Sequence, residues 1–78
     1  VRSRMSLSVL DRAGALERLL RVARHRGFIL REMTASRHES GVLNIVVEVE
    51  SDRQPMLLAS QWSKLPDVRA LQIGQTLI

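Results

Sequence analysis

Apolar and polar residues alternate strictly along Met5-Ser6-Leu7-Ser8-Val9, which is the period of a strand with one buried face. The period then changes. Leu16, Leu19, Leu20 and Ala23 fall at i, i+3, i+4 and i+7, predicting an amphipathic helix with that stripe on a core and Glu17, Arg18, Arg21, Arg24 and His25 pointing away. The first strand ends at Leu10. Asp11 is placed to cap the helix through its carboxylate, and Gly14 permits an unusual backbone path. The helix runs to about His25 and stops at Gly27, the residue type that best accepts a left-handed cap. Phe28 opens a second strand reaching about Arg37. There Leu30, Met33 and Ala35 do not keep a clean period of two, as at a bulge or a sheet edge.

His38-Glu39-Ser40-Gly41 is polar and ends in glycine, so it reads as a hairpin connection. Val42 to Glu50 is the strongest strand in the chain and belongs near the middle of a sheet. Leu43, Ile45, Val47 and Val49 lie on one face of it, with Asn44, Glu48 and Glu50 on the other. Ser51-Asp52-Arg53-Gln54 has the spacing of a capping box, and Leu58, Trp62 and Leu65 follow at helical intervals. Pro55 fits the first turn, Lys64 suits the negative end of the dipole, and Pro66 prevents continuation. Asp67 to Ile73 returns as a final strand, which Gly74 to Ile78 either extend or leave frayed.

The resulting order is β-α-β-β-α-β. Two right-handed crossovers flanking a hairpin predict an α+β, ferredoxin-like fold, a four-stranded antiparallel sheet with both helices on one face. Ser6, Ser8, Asn44, Val46 and Glu48 would line the uncovered face, polar enough to be wetted yet usable for pairing with another chain. Residues 1–78 read as a single domain with its core from about 4 to 74.

Composition narrows the function classes. A chain of 78 residues buries only about 60% of its unfolded surface, so oligomerisation is the expected supplement to its stability. The lack of cysteine excludes disulfides, thiolate metal sites and a cysteine nucleophile. No apolar run approaches the roughly 20 residues of a membrane helix, and a soluble cytoplasmic protein with no membrane partner is expected. The net charge of +4 is carried almost wholly by arginine, which suits carboxylate or phosphate surfaces. With Phe28 and Trp62 as the whole aromatic content, however, no stacking platform for single-stranded nucleic acid exists.

His25 and His38 have no second ligand at metal spacing, and Glu48 and Glu50 read as solvated carboxylates on an exposed sheet face. No Ser-His-Asp set, phosphate loop or metal cluster is legible, so an enzyme in this chain alone is not expected. Asp11 to Gly14 has two readings. It is a capped helix start, or a turn whose N–H groups hold the carboxylate of a small ligand. Trp62 is either core or contact residue, and the arginine-rich helix either a solvated face or a surface for an acidic partner.

The strand Leu7-Ser8-Val9-Leu10, the Asp11-x-x-Gly14-x-Leu16 turn and the helix end Arg26-Gly27-Phe28 resemble the ACT domains, small βαββαβ modules that bind amino acids. Leu16 to Phe28, with Ser60-Gln61-Trp62-Ser63-Lys64-Leu65 and Asp67-Val68, is similar to the small regulatory subunits of acetolactate synthase (acetohydroxyacid synthase) of the isozyme II type. The resemblance covers roughly residues 5 to 73.

It implies a non-catalytic subunit that dimerises and raises the activity of a large catalytic subunit. That large subunit carries thiamine diphosphate, magnesium and FAD and condenses pyruvate with pyruvate or 2-oxobutyrate, toward valine, leucine and isoleucine. No cofactor is expected in this chain. Valine-responsive relatives hold valine at a dimer interface with an asparagine in the first turn, the turn glycine and a polar residue after the first helix. These positions fall on Asp11, Gly14 and Ile29, within an effector turn of Asp11, Arg12, Ala13, Gly14 and Ala15 completed by Ile29 and Leu30. Asp11 puts a negative charge where an amide stood, and Ile29 offers no hydrogen bond, so weak or absent valine inhibition is expected. Arg18, Arg21, Arg24 and Arg26 are the candidate docking residues for the large subunit, from charge alone. The second domain of longer small subunits is expected to be missing, leaving activation to this module. The alternatives are a free-standing amino-acid-binding ACT domain and, less favoured without aromatics, a nucleic-acid-binding module.

Overall fold

The structure is a computed structural model that describes residues 1–39 and 41–77, and only the backbone at 38, 39 and 75–77. The elements are β1 (Arg2–Leu10), α1 (Ala15–His25), β2 (Ile29–Glu39), β3 (Val42–Glu50), α2 (Pro55–Ser63) and β4 (Val68–Leu77). The sheet order is β2-β3-β1-β4, with every neighbouring pair antiparallel. β1 and β2 therefore run parallel with β3 between them, as a βαβ crossover around an inserted strand requires.

Strict alternation produces the buried layer. Ser3, Met5, Leu7 and Val9 of β1 and Leu43, Ile45, Val47 and Val49 of β3 turn inward, and Leu58, Ala59 and Trp62 of α2 close over them. Ser6, Asn44 and Val46 lie on the opposite, uncovered face, flanked by half-buried Ser8 and Glu48. β2 is an edge strand and also has register shifts at Leu30/Glu32 and Arg37/Glu39, which together account for its imperfect pattern.

Several local expectations are corrected. The core line of α1 is Ala15, Leu19 and Ala23, with Leu16 and Val22 beside it, while Leu20 is 37% exposed. Asp11 does not cap α1. The N-cap is Gly14, left-handed at φ 79°, and no side chain bonds the first N–H groups. The Ser51–Gln54 capping box does not form either, because Ser51 Oγ donates to the Gly27 carbonyl (2.8 Å) and accepts from Arg53 N (3.0 Å), and α2 starts only at Pro55. The hairpin connection is tighter than its polar run suggests, since Glu39 already pairs with Val42. Ser40, the side chain of His38 and Ile78 lie outside the described residues. Of the two readings left for the last residues, the strand extends, with β4 continuing through Leu77.

The end of α1 follows its sequence. Gly27, at φ 84°, lets Gly27 N donate to the Arg24 carbonyl (3.1 Å) and Phe28 N to that of Ala23 (2.9 Å), closing the helix as a Schellman motif.

Candidate functional site

The Asp11–Gly14 turn leaves the end of β1 and is pinned from several directions. Asp11 N donates to the Gly41 carbonyl (2.9 Å), Arg12 N to that of Leu10 (2.9 Å) and Ala15 N to that of Arg12 (3.0 Å). Asp11, Arg12 and Ala13 are exposed, Gly14 is half-buried and Ala15 is in the core. The Asp11 carboxylate accepts from Nε of Arg37 at 3.1 Å and from Nη2 of the same guanidinium, so the end of β2 neutralises it. The contrast between an aspartate and a neutral amide is thus smaller than charge alone implies.

Arg18 does not stand on a free basic face. Its side chain is drawn back over the turn, where Nε donates to Asp67 Oδ2 at 2.9 Å and Nη2 donates to the same oxygen and to the Ala13 carbonyl (3.2 Å). Asp67 is 5% exposed, and Arg12 lies 3.6 Å from its other oxygen. A Cβ on Gly14 would stand 2.9 Å from Arg18 Nη1, so the guanidinium covers the start of the helix. The turn thus has the chain's own ion pair packed beside it. Asp67 and Arg37 were not legible as site residues, because each reaches the turn from a distant part of the chain.

Ile29 and Leu30 are not near this turn. Ile29 pairs with Glu50, whereas Leu10 pairs with Val42, eight residues of β3 away, or about 26 Å at roughly 3.3 Å per residue. Ile29 is 54% exposed and lines a pocket of about 280 Å³ with Gly27, Glu50, Ser51 and Asp52. Within one chain the two halves of the expected effector site lie at opposite ends of the sheet.

Arg21, Arg24 and His25 are exposed along the second half of α1, and Arg26 is exposed at its C-cap. Trp62 is core, 1% exposed, and its indole N–H donates to the Leu19 carbonyl at 3.0 Å. Glu48 and Glu50 meet arginines across the open face. Glu48 faces Arg2 and Arg4, and Glu50 faces Arg2 at 3.3 Å and Arg31 at 2.8 Å. The hydrogen bond from Arg31, then that from Arg2, holds the Glu50 carboxyl below its usual value. Among the described residues no three His, Asp or Glu side chains gather as a metal site, and no helix is long and apolar enough to cross a membrane.

The βαββαβ order with the sheet β2-β3-β1-β4 makes this a ferredoxin-like α+β module, the architecture that ACT domains share. Its fold matches the ACT domain of a GTP pyrophosphokinase from Chlorobium tepidum at TM-score 0.77, with 11% identity over 92% of this chain and 95% of that one. It also matches the acetolactate synthase small subunit of Thermotoga maritima at TM-score 0.78, with 19% identity over 94% of this chain and 47% of that one. The family model for the ACT domain matches residues 11–71. In sequence the chain is 45% identical over 62 residues to the acetolactate synthase isozyme 2 small subunit of Escherichia coli K12, 78% of this chain and 71% of that protein, and equally to the one from Shigella flexneri. The chain therefore belongs to the ACT-domain family and, within it, to the small subunits of acetolactate synthase isozyme 2.

Proposed function

We propose that the chain is the activating, non-catalytic small subunit of an acetolactate synthase, acting as a cytoplasmic homodimer on a large subunit that carries thiamine diphosphate, magnesium and FAD. The 45% identity to the isozyme 2 small subunit carries this reading. The homodimer is proposed from size, since a chain of 78 residues buries too little surface to be more than marginally stable alone. The charges at the turn support weak or absent valine inhibition. An amino-acid carboxylate would have to draw Arg18 from buried Asp67, and an ammonium would have to displace Arg37 from Asp11. Ile29 adds no hydrogen bond in return.

The test is acetolactate formation by the large subunit of the same organism, with and without this protein, each repeated with valine. Activation untouched by valine is the expected outcome. Activation abolished by valine would overturn the reading of the turn. No activation would overturn the subunit reading in favour of a free-standing sensor, recognisable by thermal stabilisation with its amino acid.

A further inference from the structure

We propose that the groove between the second half of α1 and α2 is a carboxylate-binding cleft that receives an acidic segment of the catalytic subunit. The proposal rests on the subunit reading above and adds the place and chemistry of the contact. Among the described residues, Arg2, Arg4, Arg12, Arg18, Arg31 and Arg37 each lie within salt-bridge distance of an internal carboxylate, whereas Arg21, Arg24, Arg26, Arg53 and Arg69 do not. The unneutralised arginines of α1 are therefore confined to its C-terminal half.

Of those on α1 and its C-cap, Arg21 and Arg26 converge on one cleft. Arg21, Val22, His25 and Arg26 line a groove of about 250 Å³ together with Gln61 of α2, and no carboxylate is among those residues. Arg26 Nη2 donates to Gln61 Oε1 at 3.0 Å, which fixes one arm of the guanidinium and leaves its other N–H groups for a ligand. Val22, packed against the core, supplies an apolar wall. The Schellman bonds use the Ala23 and Arg24 carbonyls, and Arg26 N donates to the Val22 carbonyl (3.0 Å), so these helix-end oxygens are occupied by the backbone.

The occupant follows from size and charge. The groove is smaller than the roughly 300–1,000 Å³ of most small-molecule sites. It fits one or two side chains, and the arginine fork is matched in shape by a carboxylate. A single free anion in an exposed cleft is weakly held. A protein segment that brings a carboxylate and also covers Val22 excludes water and strengthens both contacts.

The experiment measures the concentration of small subunit giving half-maximal activation of the large subunit, and their affinity by surface plasmon resonance. Arg21→Glu and Arg26→Glu should each raise both about ten- to a hundred-fold, with the activation plateau preserved. Arg24→Glu, an equal change in charge outside the groove, should raise them less than about three-fold. Circular dichroism and melting curves on each variant confirm folding, and Gln61→Leu, which frees Arg26 without changing charge, should weaken binding by an intermediate factor. Wild-type affinity for the folded Arg21 and Arg26 variants would overturn the cleft while leaving the subunit reading intact. Equal weakening by Arg24→Glu would assign the effect to the general field of the helix. Tight binding of free glutamate or inorganic phosphate to the isolated protein would replace the partner with a small anion. Failure of the wild type to bind or activate would overturn both readings.

Discussion

Asp67 joins parts of the molecule that the chain keeps far apart. Its carboxylate holds Arg18 and Arg12, while its carbonyl accepts from Leu10 N at 2.8 Å, so the start of β4, the end of β1 and the first turn of α1 meet on one residue. Asp67→Asn keeps the shape and removes the charge, leaving Arg18 beside a neutral amide. Arg18 is partly exposed, so water screens part of the loss. The expected destabilisation is about 1–3 kcal/mol, read from urea unfolding. Gly14→Ala acts on the same turn by another route. It forces a Cβ into left-handed backbone and against the Arg18 guanidinium, and should cost about 1–2 kcal/mol.

At the scale of the elements, α1 and α2 are joined by an aromatic side chain as well as by apolar packing. Trp62 is fully enclosed and its N–H reaches the Leu19 carbonyl across the helix pair. Trp62→Phe removes that donor and part of the ring, and should lower unfolding free energy by about 1–3 kcal/mol. The helical period around Trp62 was legible because Leu58 and Leu65 share its face. The bond to Leu19 was not, since nothing local to either helix records how the two are rotated. The same ignorance of rotation put Leu20 in the core. A spacing of 3.6 residues defines a stripe, but only the packing of the helix on the sheet decides where that stripe is centred, here on Ala15, Leu19 and Ala23.

Across the whole molecule, the open sheet face carries a ladder of opposite charges from three strands. Arg31 of β2 pairs with Glu50 of β3, and Arg2 and Arg4 of β1 pair with Glu48 and Glu50. Because Glu50 titrates lower in the folded chain than in an unfolded one, its contribution is complete above the unfolded value. It is lost as pH falls through the lower, folded value. Wild type should therefore melt above Arg31→Gln at neutral pH, with the gap narrowing as pH drops below the usual glutamate value of about 4.3. The gap should also shrink in high salt, as the pairs are exposed. A gap independent of both pH and salt would show that Arg31 acts through packing.

The order of elements, the central place of β3, the irregularity of β2 and the glycine stop of α1 were determined by sequence alone. Each depends on residues that are consecutive or one helical turn apart, so alternation and spacing carry the information directly. The long-range pairings could not be read that way. Arg18 and Asp67 are 49 residues apart, Arg26 and Gln61 are 35, and Asp11 and Arg37 are 26. Along the chain, Arg18, Arg21, Arg24 and Arg26 are equivalent charges on one helix. Tertiary structure alone separated them, because a buried carboxylate claims the first and a groove with none receives Arg21 and Arg26.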